Sequence, residues 1–274
     1  MTIDEKHQKL RDIIAGCGML AVAFSGGVDS SFLLKTAYDV LGDRVLALTA
    51  DSVFIPRAEI QSAEDFCRRY GIRQKLISID VLSVFGVKEN PPDRCYLCKR
   101  GIFERMIEVA AKEGISVIAE GSNLDDMSDY RPGMRAICEL SVRSPLKEAG
   151  LNKAEIRELS RRMGLDTWDK PSMACLASRV PYGETLSKEK LQRVEQAEQL
   201  LHGLGIIQCR VRCHGSLARI EVPPEDFNRI LDGSARQTIV DSFRQFGFSY
   251  VSLDIKGFRS GSMNETLHNK NSHA

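Results

Sequence analysis

The residues of this chain that could do chemistry fall into three groups. In the first, Ser25-Gly26-Gly27-Val28-Asp29-Ser30 sets two hydroxyls and a carboxylate around a pair of glycines. An apolar run, Met19 to Phe24, leads into this segment, and apolar residues at helical spacing follow it. At such a strand-turn-helix junction, backbone N–H groups and the positive end of the helix can surround a pyrophosphate, and glycine lets the main chain come close to it. The loop has no Walker A lysine and carries Asp29 in the turn, so γ-phosphoryl transfer is disfavoured and another cleavage of ATP is implied. An ordinary glycine turn into a helix is the bland alternative, and the strand and helix context argues against it.

The second group is thiols. Cys95-Tyr96-Leu97-Cys98 puts two at CxxC spacing beside a helix start, which suits one metal centre or a redox pair. Cys175 lies much further on, in the irregular run Ser172 to Arg179, and in an α/β sheet that loop can fall near the strand ends that carry the phosphate loop. Three thiolates would then face the nucleotide. Zinc is the competing reading, but three cysteines need a fourth ligand, and no histidine stands at zinc-finger spacing. Cys17, Cys67, Cys138, Cys209 and Cys213 read as small core residues, the last two sharing a strand face with Val211. The third group is arginines. Arg210 and Arg212 alternate away from that face and could point together at an anion, with Arg179 and Arg259 as companions; a solvated strand face is the alternative.

Alternating strands and helices must position these groups. Strands are expected at Met19–Phe24, Val45–Thr49, Leu76–Ile79 and Val117–Ala119. Helices are expected after the phosphate loop, with Phe32, Leu33, Ala37, Val40 and Leu41 on one face, at Pro56–Tyr70 and at Asn152–Met163. That order predicts an α/β fold: a parallel, doubly wound sheet covered on both faces. Asp169–Gly183 reads as a long functional loop. Beyond it, a helix capped by Ser187 and bearing Leu191, Val194, Leu201 and Leu204, strands at Ile206–His214 and Leu217–Val222, two short helices and a strand at Tyr250–Ile255 predict a smaller C-terminal α+β domain. The expected division is 1–184, 185–263 and a disordered polar tail, 264–274.

Composition sets the outer bounds. The 274 residues, 43% of them hydrophobic, suffice for a large domain with an ordinary core. Lys and Arg total 38 against 37 Asp and Glu, so no global field draws the protein to nucleic acid or anionic membranes, and anionic ligands must be held by local charge. Met1–Leu10 carries no apolar signal core and no later apolar run reaches spanning length, so a soluble, cytoplasmic protein without a membrane partner is expected. Eight cysteines there argue against a disulfide framework.

The SGGxDS loop resembles that of the PP-loop ATP pyrophosphatases, which include GMP and NAD synthetases, asparagine synthetases and tRNA thiolases and cut ATP between its α and β phosphates. In that resemblance Asp29 helps organise Mg2+ and pyrophosphate, the Ser25 and Ser30 hydroxyls donate to phosphate oxygens, and Gly26 and Gly27 complete the ATP site. Glu120-Gly121-Ser122-Asn123-Leu124-Asp125-Asp126 is similar to the GHNxDD segment of tRNA thiolases, with Ser122 in place of His. Further motifs in order, Asp129-Tyr130-Arg131-Pro132-Gly133, Cys175 with Ser178-Arg179-Val180-Pro181-Tyr182-Gly183, Arg210-Val211-Arg212, Ala218-Arg219-Ile220-Glu221 and Gly257-Phe258-Arg259-Ser260-Gly261, resemble the LarE family from about Leu10 to Met263.

LarE proteins are ATP-dependent sulfur transferases of nickel-pincer nucleotide synthesis, which serves lactate racemase. The resemblance implies adenylation of a carboxylate of pyridinium-3,5-biscarboxylic acid mononucleotide and its conversion to a thiocarboxylate. One branch of the family sacrifices the sulfur of a cysteine matching Cys175. Cys95 and Cys98 depart from that branch and are similar to the other, in which three cysteines hold a 4Fe-4S cluster with one iron open to an extra sulfide. Ser178, Arg179, Arg210, Arg212 and Arg259 then become candidate substrate ligands. Glu221 becomes a candidate ligand of a divalent ion or partner of a basic neighbour, and a homo-oligomer is expected. A PP-loop amidating ligase would need no thiols, and a tRNA thiolase would be expected to show a basic surface. A cluster or zinc protein that only binds nucleotide is separated from all of these by pyrophosphate release.

Overall fold

The computed structural model describes residues 1–127, 133–171, 174–259 and 261–262. Two compact units share the chain, Met1–Val87 with Asp93–Met173, and Lys88–Pro92 with the residues from Ala174 onward.

In the first unit the elements run α1 Ile3–Ala15, β1 Leu20–Ala23, α2 Val28–Leu41, β2 Val45–Asp51, α3 Arg57–Tyr70, β3 Gln74–Ser78, α4 Arg94–Lys112, β4 Ile118–Ala119, α5 Gly133–Glu139, α6 Pro145–Glu148 and α7 Lys153–Arg162. The four strands form a parallel sheet in the order β3-β2-β1-β4. Strand alternation explains its two covered faces. Leu20, Val22, Val45 and Ala47 pack with Leu10 and Ile14 of α1, Phe32 and Leu33 of α2, and Ile156 and Leu159 of α7. Ala21, Leu46, Leu48 and Ile77 turn the other way, toward Phe103, Met106 and Ala110 of α4 and Ile137 of α5.

Local chemistry sets the helix ends. Thr2 and Glu5 form a capping box on α1, a helix not expected from the sequence, and Asn152 and Glu155 form another on α7. Helix α3 stops at Gly71, whose φ of 66° suits glycine. The expected parallel sheet is present, although the third strand begins two residues earlier than expected and its Leu76 is exposed at the sheet edge.

The second unit comprises α8 Lys188–Gly203, β5 Arg210–His214, β6 Leu217–Glu221, α9 Phe227–Leu231, α10 Gly233–Gln245 and β7 Tyr250–Leu253. Its sheet has the order β5-β6-β7, antiparallel then parallel. Ser187 caps α8 as expected by accepting from the Lys190 amide. The strand expected from Ile206 begins only at Arg210, and Ile207 is exposed.

Residues 88–92 belong here because the amides of Gly183 and Leu186 donate to the carbonyls of Asn90 and Lys88, while the buried Asn90 side chain donates to those of Val180 and Pro181. The compact division therefore falls at 173/174, with a short insertion from earlier in the chain, where 184/185 was expected. The long loop is also not wholly irregular, since Leu176–Arg179 forms a 3-10 turn. Asp129–Pro132, Ser172, Met173, Ser260 and the tail 264–274 lie outside the described residues. Among those described, no helix is long and apolar enough to cross a membrane.

Candidate active site

The phosphate loop joins β1 to α2 at the C-terminal edge of the parallel sheet, the side on which open α/β sheets bind ligands. Phe24 extends β1 through its amide to the Leu48 carbonyl, and Thr49 donates to the Phe24 carbonyl at 2.9 Å, so β2 holds the loop entrance. Gly26 has a φ of 72°, and a β-carbon there would stand 3.4 Å from that of Ala63 in α3. Gly27 caps α2 without a side chain, which leaves the helix N-terminus open to an anion. The Ser25 and Ser30 hydroxyls lie 3.1 Å apart, and that of Ser30 donates to the Gly27 carbonyl at 3.2 Å. Both can turn toward phosphate oxygens without leaving the loop.

Asp29 stands in the first turn of α2. Its Oδ2 accepts from the Lys153 ammonium at 2.5 Å, and its Oδ1 is buried with no hydrogen-bond partner among the described residues. A buried carboxylate oxygen lacking a donor suits a hard cation, so the residues present fit Mg2+. Lys170 closes the other side of the loop. Its ammonium donates to the Gly26 carbonyl at 3.1 Å, the Glu59 carboxylate at 2.8 Å and the Ser62 hydroxyl at 3.3 Å.

The segment after β4 packs on the same helix start. Glu120 is buried and accepts from the Ser122 and Ser144 hydroxyls at 2.6 Å each. Ser122 thus orients Glu120 from the place where the tRNA-thiolase pattern has a histidine. Asp126 accepts from the Asn123 amide and Asp125 from that of Lys153, which ties this acidic turn to α7. Lys153 and Lys170 were not anticipated from the sequence. The capping box at Asn152 and Glu155 marks Lys153 as a first-turn residue, but the sequence carries no signal for which strand end it reaches.

Cys95 and Cys98 occupy the first turn of α4, three positions apart on one helix face, and both are half-buried. An Arg94 guanidinium nitrogen lies 3.7 Å from the Cys95 sulfur. Two soft thiol donors three positions apart on one helix face fit an iron–sulfur ligand set in donor chemistry. Cys175, also half-buried, precedes the 3-10 turn of the second unit. Its carbonyl accepts from the Ser178 amide at 3.0 Å, the Ser178 hydroxyl at 2.8 Å and Arg179 at 3.1 Å. The eight cysteines form no disulfide, and among the described residues no three His, Cys, Asp or Glu side chains gather as metal ligands. Burial pushes the Cys67 and Cys209 thiols up to about 12 and raises that of Cys213, as core residues require. Cys138 was expected to be buried as well; it is exposed, on the outer side of the short helix α5.

The arginines differ from an open anion fork. Arg179 is fully buried, and its Nε and Nη2 each donate to Glu198 at 2.9 Å. Arg212 is buried too and donates to Glu221, to the Ser178 carbonyl and to the Ser262 hydroxyl. Glu221 also accepts from Arg219, so its oxygens face basic neighbours and a hydroxyl. Arg210 lies 5.3 Å over the Phe258 ring, and burial and then the Arg179 charge lower its pKa from the ordinary value. The Arg259 guanidinium donates to the Gly257 carbonyl and lies 3.6 Å from Asp254.

A parallel sheet with this loop between its first strand and helix defines a PP-loop ATP pyrophosphatase. A family model described as NAD synthase matches residues 2–91. The pyridinium-3,5-bisthiocarboxylic acid mononucleotide synthase of Lactiplantibacillus plantarum is 39% identical over 270 residues, covering 97% of this chain and 96% of that protein. An uncharacterized Synechocystis protein is 40% identical over 265 residues, 97% of this chain and 99% of its own. Argininosuccinate synthase of Pyrococcus furiosus, 27% identical, covers 55% of this chain and 40% of its own. The chain belongs to the LarE family of ATP-dependent sulfur transferases.

Proposed function

We propose that this protein adenylates a carboxylate of pyridinium-3,5-biscarboxylic acid mononucleotide with ATP and converts it to a thiocarboxylate for the nickel-pincer nucleotide. The observation that carries the reading is the Ser25–Ser30 loop in a chain that matches the bisthiocarboxylate synthase over 97% of its length. Ser25, Ser30 and the open end of α2 bind the pyrophosphate portion of ATP, and Asp29 presents its buried Oδ1 to Mg2+. Such an arrangement binds and positions, and a carboxylate nucleophile needs no general base. The substrate oxygen attacks the α-phosphorus, pyrophosphate leaves, and sulfur then displaces AMP at the activated carbonyl.

Cys95, Cys98 and Cys175 would hold a 4Fe-4S cluster, which supplies an iron free of protein ligands and able to carry hydrosulfide. Ser178, Arg210 and Arg259 serve the anionic substrate, since guanidinium suits both phosphate and carboxylate, while Arg212, which donates to Glu221, Ser262 and the Ser178 carbonyl, holds Ser178 in place. Arg179 contributes by holding the Cys175 loop. The physiological assembly is a homo-oligomer without a nucleic acid partner, in keeping with a net charge of +1. Sacrificial donation by Cys175 is the second reading, favoured by the three hydrogen bonds that present this residue at the head of its turn.

The test is an anaerobic reaction with ATP, Mg2+, added sulfide and the biscarboxylate nucleotide. AMP, pyrophosphate and thiocarboxylate are expected in equal amounts, and ADP with orthophosphate as main products would overturn the reading.

A further inference from the structure

We infer that Glu120 selects the substrate by the positive charge of its pyridinium ring. The inference rests on the substrate proposed above and names the group of this chain that reads its cation. Three carboxylates are buried among the described residues, Glu120, Glu198 and Glu221. Two of them hold guanidinium groups, Glu198 that of Arg179 and Glu221 those of Arg212 and Arg219. Glu120 is 7% exposed and meets no cation among the described residues; its two oxygens accept from the hydroxyls of Ser122 and Ser144 alone, at 2.6 Å each. Basic side chains around the phosphate loop are committed elsewhere: Arg143, next to Ser144 in the chain, turns to Glu148 and Cys17, Lys153 to Asp29 and Lys170 to Glu59. A buried carboxylate is costly unless a cation or metal compensates it, and two neutral hydroxyls supply only part of that compensation. A cationic ligand supplies the rest.

The place of Glu120 in the fold says which ligand this is. It directly follows β4, where its amide donates to the Arg143 carbonyl at 2.9 Å. The next residue, Gly121, packs on the phosphate loop: a β-carbon there would stand 3.0 Å from the Ser30 amide nitrogen and 3.3 Å from the Asp29 carbonyl carbon. Glu120 thus stands beside the loop at which the α-phosphorus is attacked, and the attacking carboxylate is carried on the pyridinium ring. A divalent ion is the poorer occupant. It is best served by an oxygen free of other partners, which Asp29 Oδ1 is and neither Glu120 oxygen is. A delocalised ring cation needs no direct ligation, only a negative charge within a few ångströms and away from bulk water. The same charge works against the wrong substrate. A neutral aromatic dicarboxylate would bring anions toward a buried anion with nothing to offset them, so Glu120 discriminates by repulsion as well as by attraction.

The test is calorimetric binding of two ligands to the full chain and to its Glu120→Gln and Glu120→Asp variants. One ligand is pyridinium-3,5-biscarboxylic acid mononucleotide; the other is its uncharged isostere, with carbon in place of the ring nitrogen. Each protein is also titrated with Mg-ATP. Wild type is expected to favour the pyridinium ligand by about ten-fold or more, the factor that corresponds to one modest ion pair. Glu120→Gln should bring the two ligands within about two-fold of each other while binding Mg-ATP as wild type does. Glu120→Asp, which keeps the charge, should restore most of the preference. A pyridinium preference that survives Glu120→Gln would overturn the inference, as would a loss shared equally by the two ligands, the mark of a residue that only props the loop. Loss of Mg-ATP binding in Glu120→Gln would overturn it in favour of a metal ligand. Wild-type binding of both rings alike would sink the inference and leave the substrate reading standing, whereas binding of neither would remove that reading and the inference with it.

Discussion

Gly121, just past β4, lies so close to Ser30 that a β-carbon on it would stand 3.0 Å from the Ser30 amide nitrogen and 3.2 Å from its α-carbon. Backbone stands on both sides of this contact, so no side chain can swing away to relieve it. Gly121→Ala must push the start of α2, and the phosphate loop with it, out of place. A cost of about 1–3 kcal/mol and a drop of roughly ten-fold or more in adenylation are expected, from overpacking and lost alignment. Gly203→Ala, where a β-carbon meets nothing within 4 Å, is the matched control and should behave as wild type. Full activity in Gly121→Ala, measured by pyrophosphate release, would contradict the account of the loop.

Removing Arg179 strands a buried carboxylate. Glu198 is 4% exposed and would keep the Val211 amide as a donor but lose its guanidinium fork. Arg179→Ala should cost about 3–5 kcal/mol in denaturant unfolding, since breaking a buried pair leaves one charge uncompensated. Arg259→Ala, at a half-exposed side chain, should cost under about 1 kcal/mol and chiefly weaken substrate binding. Equal stability losses in the two variants would show that the buried pair is not what holds the Cys175 loop.

The thiols should sort by burial under native alkylation. With pKa values raised to about 12, Cys67 and Cys209 are thiolate to roughly one part in ten thousand at pH 8, and raising a thiol's pKa always favours the unreactive neutral form. Iodoacetamide at pH 8 should label the exposed Cys138 and leave Cys67 and Cys209 until the chain unfolds. Peptide mass spectrometry that found Cys209 among the first labelled would overturn the core assignment.

The source of sulfur divides on Cys95 and Cys98. Anaerobically prepared protein should be brown, hold about four irons, turn over repeatedly with added sulfide and keep its polypeptide mass. Alanine at Cys95, Cys98 or Cys175 should each remove the iron, whereas alanine at Cys67, Cys138 or Cys209 should not. If sulfur transfer survives Cys95→Ala and Cys98→Ala as a single turnover, stops with Cys175→Ala and leaves dehydroalanine at 175, the cysteine itself is the donor.

Much of this was legible in the order of residues because it is local. The strand and helix flanking Ser25–Ser30 follow from apolar spacing, the two glycines from the turn between them, and the placement of Cys95 and Cys98 on a helix start from their spacing. The parallel sheet follows from alternation of the same signals. What escaped was long-range pairing. Lys153 meets Asp29 across 124 residues and Lys170 meets Gly26 across 144, and neither lysine has a local pattern that distinguishes it from a solvated one. Arg210 and Arg212 read as an exposed fork because alternation says which residues share a face, not what covers that face. Tertiary packing decided the latter, burying both and setting Glu221 against Arg212, as it set Glu198 against Arg179. It likewise drew residues 88–92 into the second unit through hydrogen bonds to residues near 183. The physical reason is common to all of these: local sequence determines backbone conformation, while the partner of a long charged side chain depends on which elements pack beside it.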